Sequence, residues 1–282
     1  MDSLKRLKTP LRYPGGKSRA TKQLDGYFPN VGNYTNYHEP FLGGGSVALF
    51  VSKKYPNLNV WVNDKYWELY NFWNHLRDDS IHLHNEVIYL KSGVKNDKDA
   101  KNLFLECREL LNAETSSDFD RAVYFYVVNK CSFSGLTQSS GFSLASSKSN
   151  FSIRNINTIL EYAEIIKNWK ITNLDYSELL DDNPDTFVYL DPPYDIKDSL
   201  YGKKGDMHKG FDHDLFAERC NKSSCSQLIS YNADEKVTDR FDGWNMDAFD
   251  LTYTMRSVGD YVKEQKKRKE LVMYNYDIPN YF

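Results

Sequence analysis

The chain has 282 residues, of which 40% are hydrophobic and 15% aromatic, enough to bury one sizeable core or a core with a subdomain. No stretch approaches the roughly 18 uninterrupted apolar residues that span a bilayer, and residues 1–8 lack a signal-peptide run, so we expect a cytoplasmic protein. The formal charge of −3 argues against a uniformly basic nucleic-acid binder. The four cysteines form no Cys-x-x-Cys pair, which predicts reduced thiols without a disulfide or zinc site.

The first predicted unit is a strand, a glycine turn, a helix and a second strand within residues 37–64. The turn is Gly43-Gly44-Gly45, the helix covers residues 46–54, and the second strand contains Val60-Trp61-Val62. A helix with a broad aromatic face is predicted over residues 65–77. This order is typical of the opening of a doubly wound α/β sheet.

The pattern changes to helical runs between residues 78 and 167, for example over 100–113 and 118–128. A Ser- and Gly-rich stretch over 131–150 is either a flexible linker or a ligand-binding loop. Short strands are predicted again at 171–174, 186–190, 227–231, 245–253 and 271–276. We therefore expect an α/β domain formed by residues 1–77 and 168–282, interrupted by a helical insertion over 78–167.

A candidate nucleotide site lies at the glycine turn. Gly43-x-Gly45-x-x-Ala48 fits the dinucleotide fingerprint, and Asp64 follows about 20 residues later at the end of the next strand. The pattern indicates an adenosine-containing ligand, although glycine turns also arise for packing and a nicotinamide dehydrogenase would fit this motif. Gly15-Gly16-Lys17-Ser18 resembles the end of a phosphate loop, but Leu11 stands where that loop needs glycine, which excludes an NTPase.

A candidate chemical site follows the apolar run at 186–190, which ends in Asp191-Pro192-Pro193-Tyr194. Ligands of open α/β sheets bind at the carboxyl ends of strands, so Asp191, Pro192 and Tyr194 are the predicted catalytic residues. Neither proline has an N–H, so Asp191 and a free backbone carbonyl could grip the two hydrogens of an exocyclic amino group. Tyr194 could stack on the base, and the chemistry needs no metal. A proline-rich turn with a capping aspartate is the alternative.

Four segments in one order resemble a known family. They are Leu11-Arg12-Tyr13-Pro14-Gly15-Gly16-Lys17, His38-Glu39-Pro40-Phe41-Leu42-Gly43-Gly44-Gly45-Ser46-Val47, Asn63-Asp64 and Asp191-Pro192-Pro193-Tyr194. The chain resembles the Dam-type DNA adenine N6-methyltransferases of bacteria and phages over nearly its whole length. The resemblance implies a Rossmann-like methyltransferase sheet, completed by the late strand at 269–276, with an inserted target-recognition domain.

The resemblance also implies S-adenosylmethionine as methyl donor. The implied cofactor residues are Tyr13, Lys17, Phe41, Gly43, Gly45, Asp64, Asp175 and Asp191. Asp64 would bind the ribose hydroxyls, and Asp191 would lie between cofactor and target base. Asp175 either accepts a hydrogen bond from the cofactor's adenine amino group or caps the helix that follows it.

Double-stranded DNA is the implied partner, bound by a monomer or a weak dimer, with the target adenine flipped out of the duplex. The candidate DNA-binding residues are Arg12, Phe133, Gly135, Leu136 and Gln138. Phe133 would enter the base stack, or else belongs to the core. Family members that read GATC have arginine at the position of Gln138; because arginine reads guanine and glutamine prefers adenine, we expect an altered or relaxed recognition site.

Other functions are compatible with these residues. Cytosine N4 methylation uses the same clamp chemistry but usually accompanies Ser-Pro-Pro-Tyr, and RNA or protein methylation more often accompanies Asn-Pro-Pro. A catalytically idle DNA-binding subunit would keep the cofactor fold for stability. His82 and His84 are expected to be a solvated pair, because no third metal ligand has suitable spacing.

Overall fold

The computed structural model describes residues 9–13, 15–113, 115–135, 140–194, 210–232, 235–251 and 268–278. These residues contain a seven-stranded sheet. Its strands are β1 (Asn36–Glu39), β2 (Asn59–Asn63), β3 (Lys170–Thr172), β4 (Thr186–Leu190), β5 (Ser226–Asn232), β6 (Asn245–Leu251) and β7 (Arg268–Tyr274). The helices are α1 (Thr21–Asp25), α2 (Ser46–Lys54), α3 (Trp67–Asp78), α4 (Ser80–Ser92), α5 (Asp97–Ala113), α6 (Asp118–Cys131), α7 (Leu144–Asn150), α8 (Ile153–Ile166), α9 (His213–Lys222) and α10 (Glu235–Asp239).

The strand order is β3-β2-β1-β4-β5-β7-β6. Strands β1 to β5 are parallel, whereas β7 runs antiparallel to both β5 and β6. The start of β7 therefore lies beside the end of β5, where Glu270 pairs in register with Asn232. One edge of the sheet thus carries the carboxyl ends of five parallel strands and the amino end of β7, which is the edge where open α/β sheets bind ligands.

Strand β4 lies in the middle of the sheet, and all five of its residues are buried. Phe187 and Tyr189 belong to a large hydrophobic cluster on one side, whereas Val188 and Leu190 belong to a smaller cluster with α9 residues such as Phe216 on the other. A central strand of a parallel sheet is covered on both faces, which explains its uninterrupted run of apolar residues.

Helices α4 to α8 lie between α3 and β3 in the chain. Helices α4, α5, α6 and α8 share one hydrophobic cluster with α2, α3 and the sheet. Phe72 of α3 stacks on Tyr126 of α6 with ring centroids 5.9 Å apart and planes at 16°. A buried ion pair between Glu68 and Arg121 joins the same two helices. The helical segment is therefore packed directly against the layer that covers the sheet.

The predicted α/β fold with interposed helices is confirmed. Within the described part of the Ser- and Gly-rich stretch there is a 3₁₀ turn at Phe133–Gly135 and helix α7, whose first turn is capped by Ser143, so residues 144–150 are neither linker nor loop. That part of the prediction was wrong, because serines at N-caps start helices that an apolar pattern does not reveal. Strand β7 ends at Tyr274, before the predicted 276, and residues 252–253 of another predicted strand lie outside the described range.

All four cysteines, Cys107, Cys131, Cys220 and Cys225, are buried and have free thiols. Among the helices that the structure describes, none is both long and apolar enough to cross a bilayer.

Candidate active site

A cavity of about 440 Å³ lies at the sheet edge that carries the carboxyl ends of the parallel strands. It is lined by Glu39 at the end of β1, Asp64 directly after β2, Asp175 after β3 and Asp191 directly after β4. Parallel strands bring these residues together although up to 152 positions separate them in the chain. The nucleotide site and the chemical site predicted from sequence are therefore two ends of one cavity.

The glycine turn between β1 and α2 forms one wall of this cavity. Gly43 and Gly45 adopt left-handed φ angles of 50° and 69°. A Cβ atom added at Gly45 would lie 2.7 Å from Trp73 Cζ2, and one at Gly43 would lie 2.9 Å from Tyr13 Cε1. The Trp73 indole N–H also donates to the carbonyl of Gly43 over 3.1 Å. Both backbone conformation and close packing therefore require glycine in this turn.

Asp64 lies beside the glycine turn. Its Oδ2 accepts from the Gly43 N–H at 2.8 Å, and its Oδ1 accepts from the Tyr66 N–H at 2.9 Å. Burial raises the pKa of the Asp64 carboxyl to about 6, while the two backbone hydrogen bonds act in the opposite direction. A carboxylate fixed in this way presents acceptors to hydroxyl groups in the cavity.

An aromatic cluster forms the part of the cavity near β3. Phe41 stacks on Tyr176, with ring centroids 5.5 Å apart and planes at 26°. Asp175 Oδ1 accepts from the backbone N–H and the hydroxyl of Ser177 and from Arg219 at 2.9 Å. Asp175 therefore caps the short 3₁₀ helix that begins at Tyr176, as one of its two interpretations predicted. It also lines the cavity.

The opposite end of the cavity contains Asp191 and Lys17. The Lys17 ammonium lies 2.8 Å and 2.9 Å from the two carboxylate oxygens of Asp191. The Ser230 hydroxyl donates to Asp191 Oδ1 over 3.1 Å. Burial raises the pKa of Asp191, Lys17 opposes that shift, and the nearby charge of Glu270 adds to it. The Asp191 side chain is 22% exposed, so its carboxylate faces the cavity.

Tyr194 is fixed by its ring and by its hydroxyl. The ring stacks on Tyr231 of β5, with centroids 5.8 Å apart and planes at 19°. The hydroxyl accepts from Lys17 at 2.6 Å and donates to Glu270 Oε1 at 2.5 Å. Lys17 also lies 3.2 Å from Glu270 Oε1. Lys17, Asp191, Tyr194 and Glu270 thus form one continuous polar cluster, which we call the lysine cluster.

Sequence reasoning missed Glu270, Ser230, Glu39 and Arg219 as site residues. Glu39 is buried at the end of β1, where the Tyr37 hydroxyl donates to it over 2.5 Å, and burial raises its pKa well above the usual range. The available signal was a glutamate at the end of one strand and near the start of another, Glu39 in β1 and Glu270 in β7. Ser230 gives no comparable signal, because serine is common in strands of every environment.

The candidate DNA-binding residues that the structure describes lie close together. The Asn129 amide accepts from the Arg12 N–H at 2.8 Å and donates to the Arg12 carbonyl at 2.7 Å. The Arg12 guanidinium donates to the Ser132 carbonyl over 2.7 Å. Gly135 has a φ of 75°, and a Cβ there would lie 2.6 Å from the Arg12 carbonyl oxygen. The helical segment is therefore anchored to the chain just before Tyr13.

Phe133 follows this anchor and is 39% exposed, so it is not a core residue. Leu136 and Gln138 lie outside the described residues.

No group of three or more potential metal ligands occurs within the residues that the structure describes. His82 stacks on Phe119 with centroids 4.0 Å apart, and His84 Nε2 lies 3.0 Å from Asn157 Oδ1. Each histidine thus has a partner of its own on the protein surface.

Comparison with known proteins identifies the family. The model of the D12 class N6 adenine-specific DNA methyltransferases matches residues 13–257, a span that contains the glycine turn, Asp64 and Asp191-Pro192-Pro193-Tyr194. The chain belongs to this family. It is an adenine-specific DNA methyltransferase with a Rossmann-like fold, and the methyl donor of this class is S-adenosylmethionine. Cytosine N4 methylation and an idle DNA-binding subunit are therefore not favoured.

Curated relatives agree with this assignment. The Type II methyltransferase M.MjaIII of Methanocaldococcus jannaschii is 27% identical over 198 residues, covering 65% of this chain and 68% of that protein. The Type II methyltransferase M.CviBI of Paramecium bursaria Chlorella virus NC1A is 23% identical over 96% of this chain and 100% of its own length. The DNA N-6-adenine-methyltransferase of Escherichia phage P1 is 29% identical over 45% of this chain and 15% of its own length.

Proposed function

We propose that this methyltransferase modifies N6 of an adenine that is flipped out of double-stranded DNA at a specific sequence, and that Asp191-Pro192-Pro193-Tyr194 holds the base. One observation carries the proposal. The Asp191 carboxylate shares a single cavity with the glycine turn and Asp64, so a methyl donor and a target base can meet inside it.

The cavity residues fit S-adenosylmethionine, which supplies an electrophilic methyl group when it is bound. Asp64 offers acceptors to ribose hydroxyls, and the left-handed turn at Gly43 and Gly45 lets the backbone approach a ligand closely. Phe41 offers an aromatic surface to the adenine ring. Tyr13, Lys17, Asp175 and Asp191 complete the proposed cofactor residues.

Asp191 accepts one hydrogen of the target amino group, and a backbone carbonyl of the Asp191-Pro192-Pro193 segment accepts the other. This grip favours a pyramidal nitrogen whose lone pair is free to attack. Holding two reactants in such a geometry can lower a barrier by about 7–11 kcal/mol. Tyr194, fixed against Tyr231, supports the base from the side of β5. No step requires a metal ion.

Among the described residues, Lys17 contacts both oxygens of Asp191 and Ser230 contacts Oδ1. A carboxylate has about four acceptor positions, so Oδ2 keeps one for the adenine amino group. Lys17 and Ser230 therefore orient the carboxylate without occupying it completely.

The proposed target-recognition part is the helical segment over residues 78–167. Arg12, Phe133 and Gly135, together with Leu136 and Gln138 outside the described residues, are its proposed DNA contacts. Support comes from the Asn129 amide, which joins α6 to Arg12 one residue before Tyr13. The exposed ring of Phe133 is available to enter an opened base stack. We expect a cytoplasmic enzyme that acts as a monomer or weak dimer.

Asp191→Asn tests the proposal. The amide keeps one acceptor but loses the charge, so we expect kcat on duplex DNA to fall by about 100-fold or more. The dissociation constant of S-adenosylmethionine, measured by calorimetry, should rise by a much smaller factor than kcat falls, because Asp64 and the glycine turn remain. The exposed Asp242→Asn variant is the matched control and should behave as wild type. Undiminished kcat in Asp191→Asn would remove Asp191 from the chemistry.

A further inference from the structure

The lysine cluster contains one ammonium and two carboxylates. Lys17 is 3% exposed and lies 2.8 Å from Asp191 Oδ1 and 3.2 Å from Glu270 Oε1. Glu270 is 1% exposed and also accepts from the Tyr194 hydroxyl. It comes from the antiparallel strand β7, which enters the sheet edge from the opposite direction to the other site residues. Burying a second carboxylate here costs free energy, which its contacts with the Lys17 ammonium and the Tyr194 hydroxyl offset.

A buried ammonium beside Asp191 creates a conflict. Asp191 has to accept a hydrogen bond from an uncharged amino group, which is a much weaker donor than an ammonium. If Asp191 were the sole counter-ion of Lys17, the ion pair would draw its negative charge away from the target amino group. A second carboxylate in contact with the ammonium divides that attraction between two acceptors.

We propose that Glu270 is a positioning residue for methyl transfer: it shares the charge of Lys17 and fixes the Tyr194 hydroxyl, so that Asp191 stays available to the adenine amino group. This inference rests on the proposed role of Asp191. It concerns a residue that contacts neither base nor cofactor in the proposed arrangement and acts through Lys17 and Tyr194.

The charges around Asp191 support this assignment. The groups that face or influence Asp191 electrostatically are Lys17, Glu270, Tyr189 and Glu39. Lys17 lowers the pKa of Asp191 and Glu270 raises it, so the two act in opposite directions on the same carboxylate. Lys17 contributes one formal positive charge and the two carboxylates contribute two negative charges, so the ammonium does not neutralise both Asp191 and Glu270.

Glu270→Gln isolates the charge, because the Gln carbonyl oxygen can still accept from the Tyr194 hydroxyl. We expect kcat to fall by at least about tenfold, while the cofactor dissociation constant and the KM for DNA change by less than about threefold. Removing the Glu270 charge should lower the pKa of Asp191, so the acid limb of the kcat profile should move to lower pH. A purely structural role would not move that limb.

The effect of Glu270→Gln on Tm should change sign when Lys17 is absent. Lys17→Met leaves the partly exposed Asp191 and the buried Glu270 without the ammonium that they share, so we expect its Tm to fall below that of the wild type. Glu270→Gln added to Lys17→Met removes the repulsion between the two carboxylates and should raise Tm again, a reversal of sign that a double-mutant cycle detects. The cycle remains informative if Glu270→Gln alone folds poorly.

Glu218→Gln is the control, because Glu218 pairs with Lys222 on the exposed face of α9. It should leave kcat, the pH profile and Tm unchanged. Wild-type kcat with an unmoved acid limb in Glu270→Gln, or additive Tm changes in the double variant, would overturn the inference. When such a result is accompanied by an inactive Asp191→Asn variant in the same assay, only the inference about Glu270 fails. When Asp191→Asn is fully active, the proposed function fails.

Discussion

Asp64 is buried and accepts hydrogen bonds from two backbone N–H groups. Burial raises the pKa of its carboxyl, whereas the two hydrogen bonds lower it. Burial prevails and raises its pKa to about 6. Ribose hydroxyls donate best to the ionised carboxylate, so cofactor binding should favour the ionised form. In the free protein, by contrast, a carboxyl whose folded pKa lies above its unfolded value of about 3.9 adds stability as pH falls through that interval. Cofactor affinity and the Asp64 contribution to stability should therefore have opposite pH dependences.

We predict that the dissociation constant of S-adenosylmethionine rises as pH falls through about 6. Calorimetric titrations between pH 5 and 8 measure this. Asp64→Asn should bind the cofactor more weakly and lose this component of the pH dependence, because the amide does not titrate. A wild-type dissociation constant that is the same at pH 5 and pH 8 would contradict the prediction.

Some site residues could be predicted from sequence and others could not. Asp64 and Asp191 each directly follow an apolar strand, and a parallel sheet brings such positions to one edge. Glu270 reaches the same edge only because β7 is antiparallel, and strand direction cannot be deduced from an apolar pattern. Of the two predicted roles of Asp175, the helix cap is observed, whereas the contact with the cofactor's adenine stays a prediction for a residue that lines the cavity.

At the scale of elements, the turn between β1 and α2 determines where the cavity can form. Gly45 begins α2 in the left-handed region with φ 69° and packs against the indole of Trp73. The indole donates back to the carbonyl of Gly43. Helix α3 therefore packs against the turn through Trp73, while the backbone at Gly43 lines the cavity.

Gly45→Ala should destabilise the protein by about 1–3 kcal/mol, because alanine is strained at positive φ and its Cβ would overlap the Trp73 ring. Thermal unfolding followed by circular dichroism measures the change. Gly141→Ala is the matched control, since no atom lies within 4 Å of the added Cβ and its φ is not in the left-handed region. Equal Tm values for the two variants would show that the turn tolerates a side chain.

The elements predicted best were those with strong periodicity or full burial. Strand β4 is apolar throughout because it is covered on both faces, and its bounds match the prediction of 186–190. Helix α7 was missed because Ser and Asn residues dominate it, so its start depends on the hydrogen bond from the Ser146 N–H to the Ser143 hydroxyl. The short helices α1 and α10 have only five residues each, too few to show a period.

At the scale of the whole molecule, the helical segment and the sheet share one hydrophobic cluster. The Asn129 amide adds a polar connection between α6 and the backbone of Arg12, next to Tyr13 in the cavity wall. The proposed DNA contacts at Arg12 and Gly135 would therefore lie close in the chain or in space to the cavity wall. Sequence alone predicted the insertion but not this connection, because it depends on a single buried amide.

Identification of the methylated base tests the activity of this enzyme directly. Purified protein is incubated with duplex DNA and S-adenosylmethionine labelled in its methyl group, and the DNA is digested to nucleosides. We predict label in N6-methyladenine, and its loss in Asp191→Ala while cofactor binding persists. Label in N4-methylcytosine, or no label in DNA despite measurable cofactor binding by the wild type, would contradict the account.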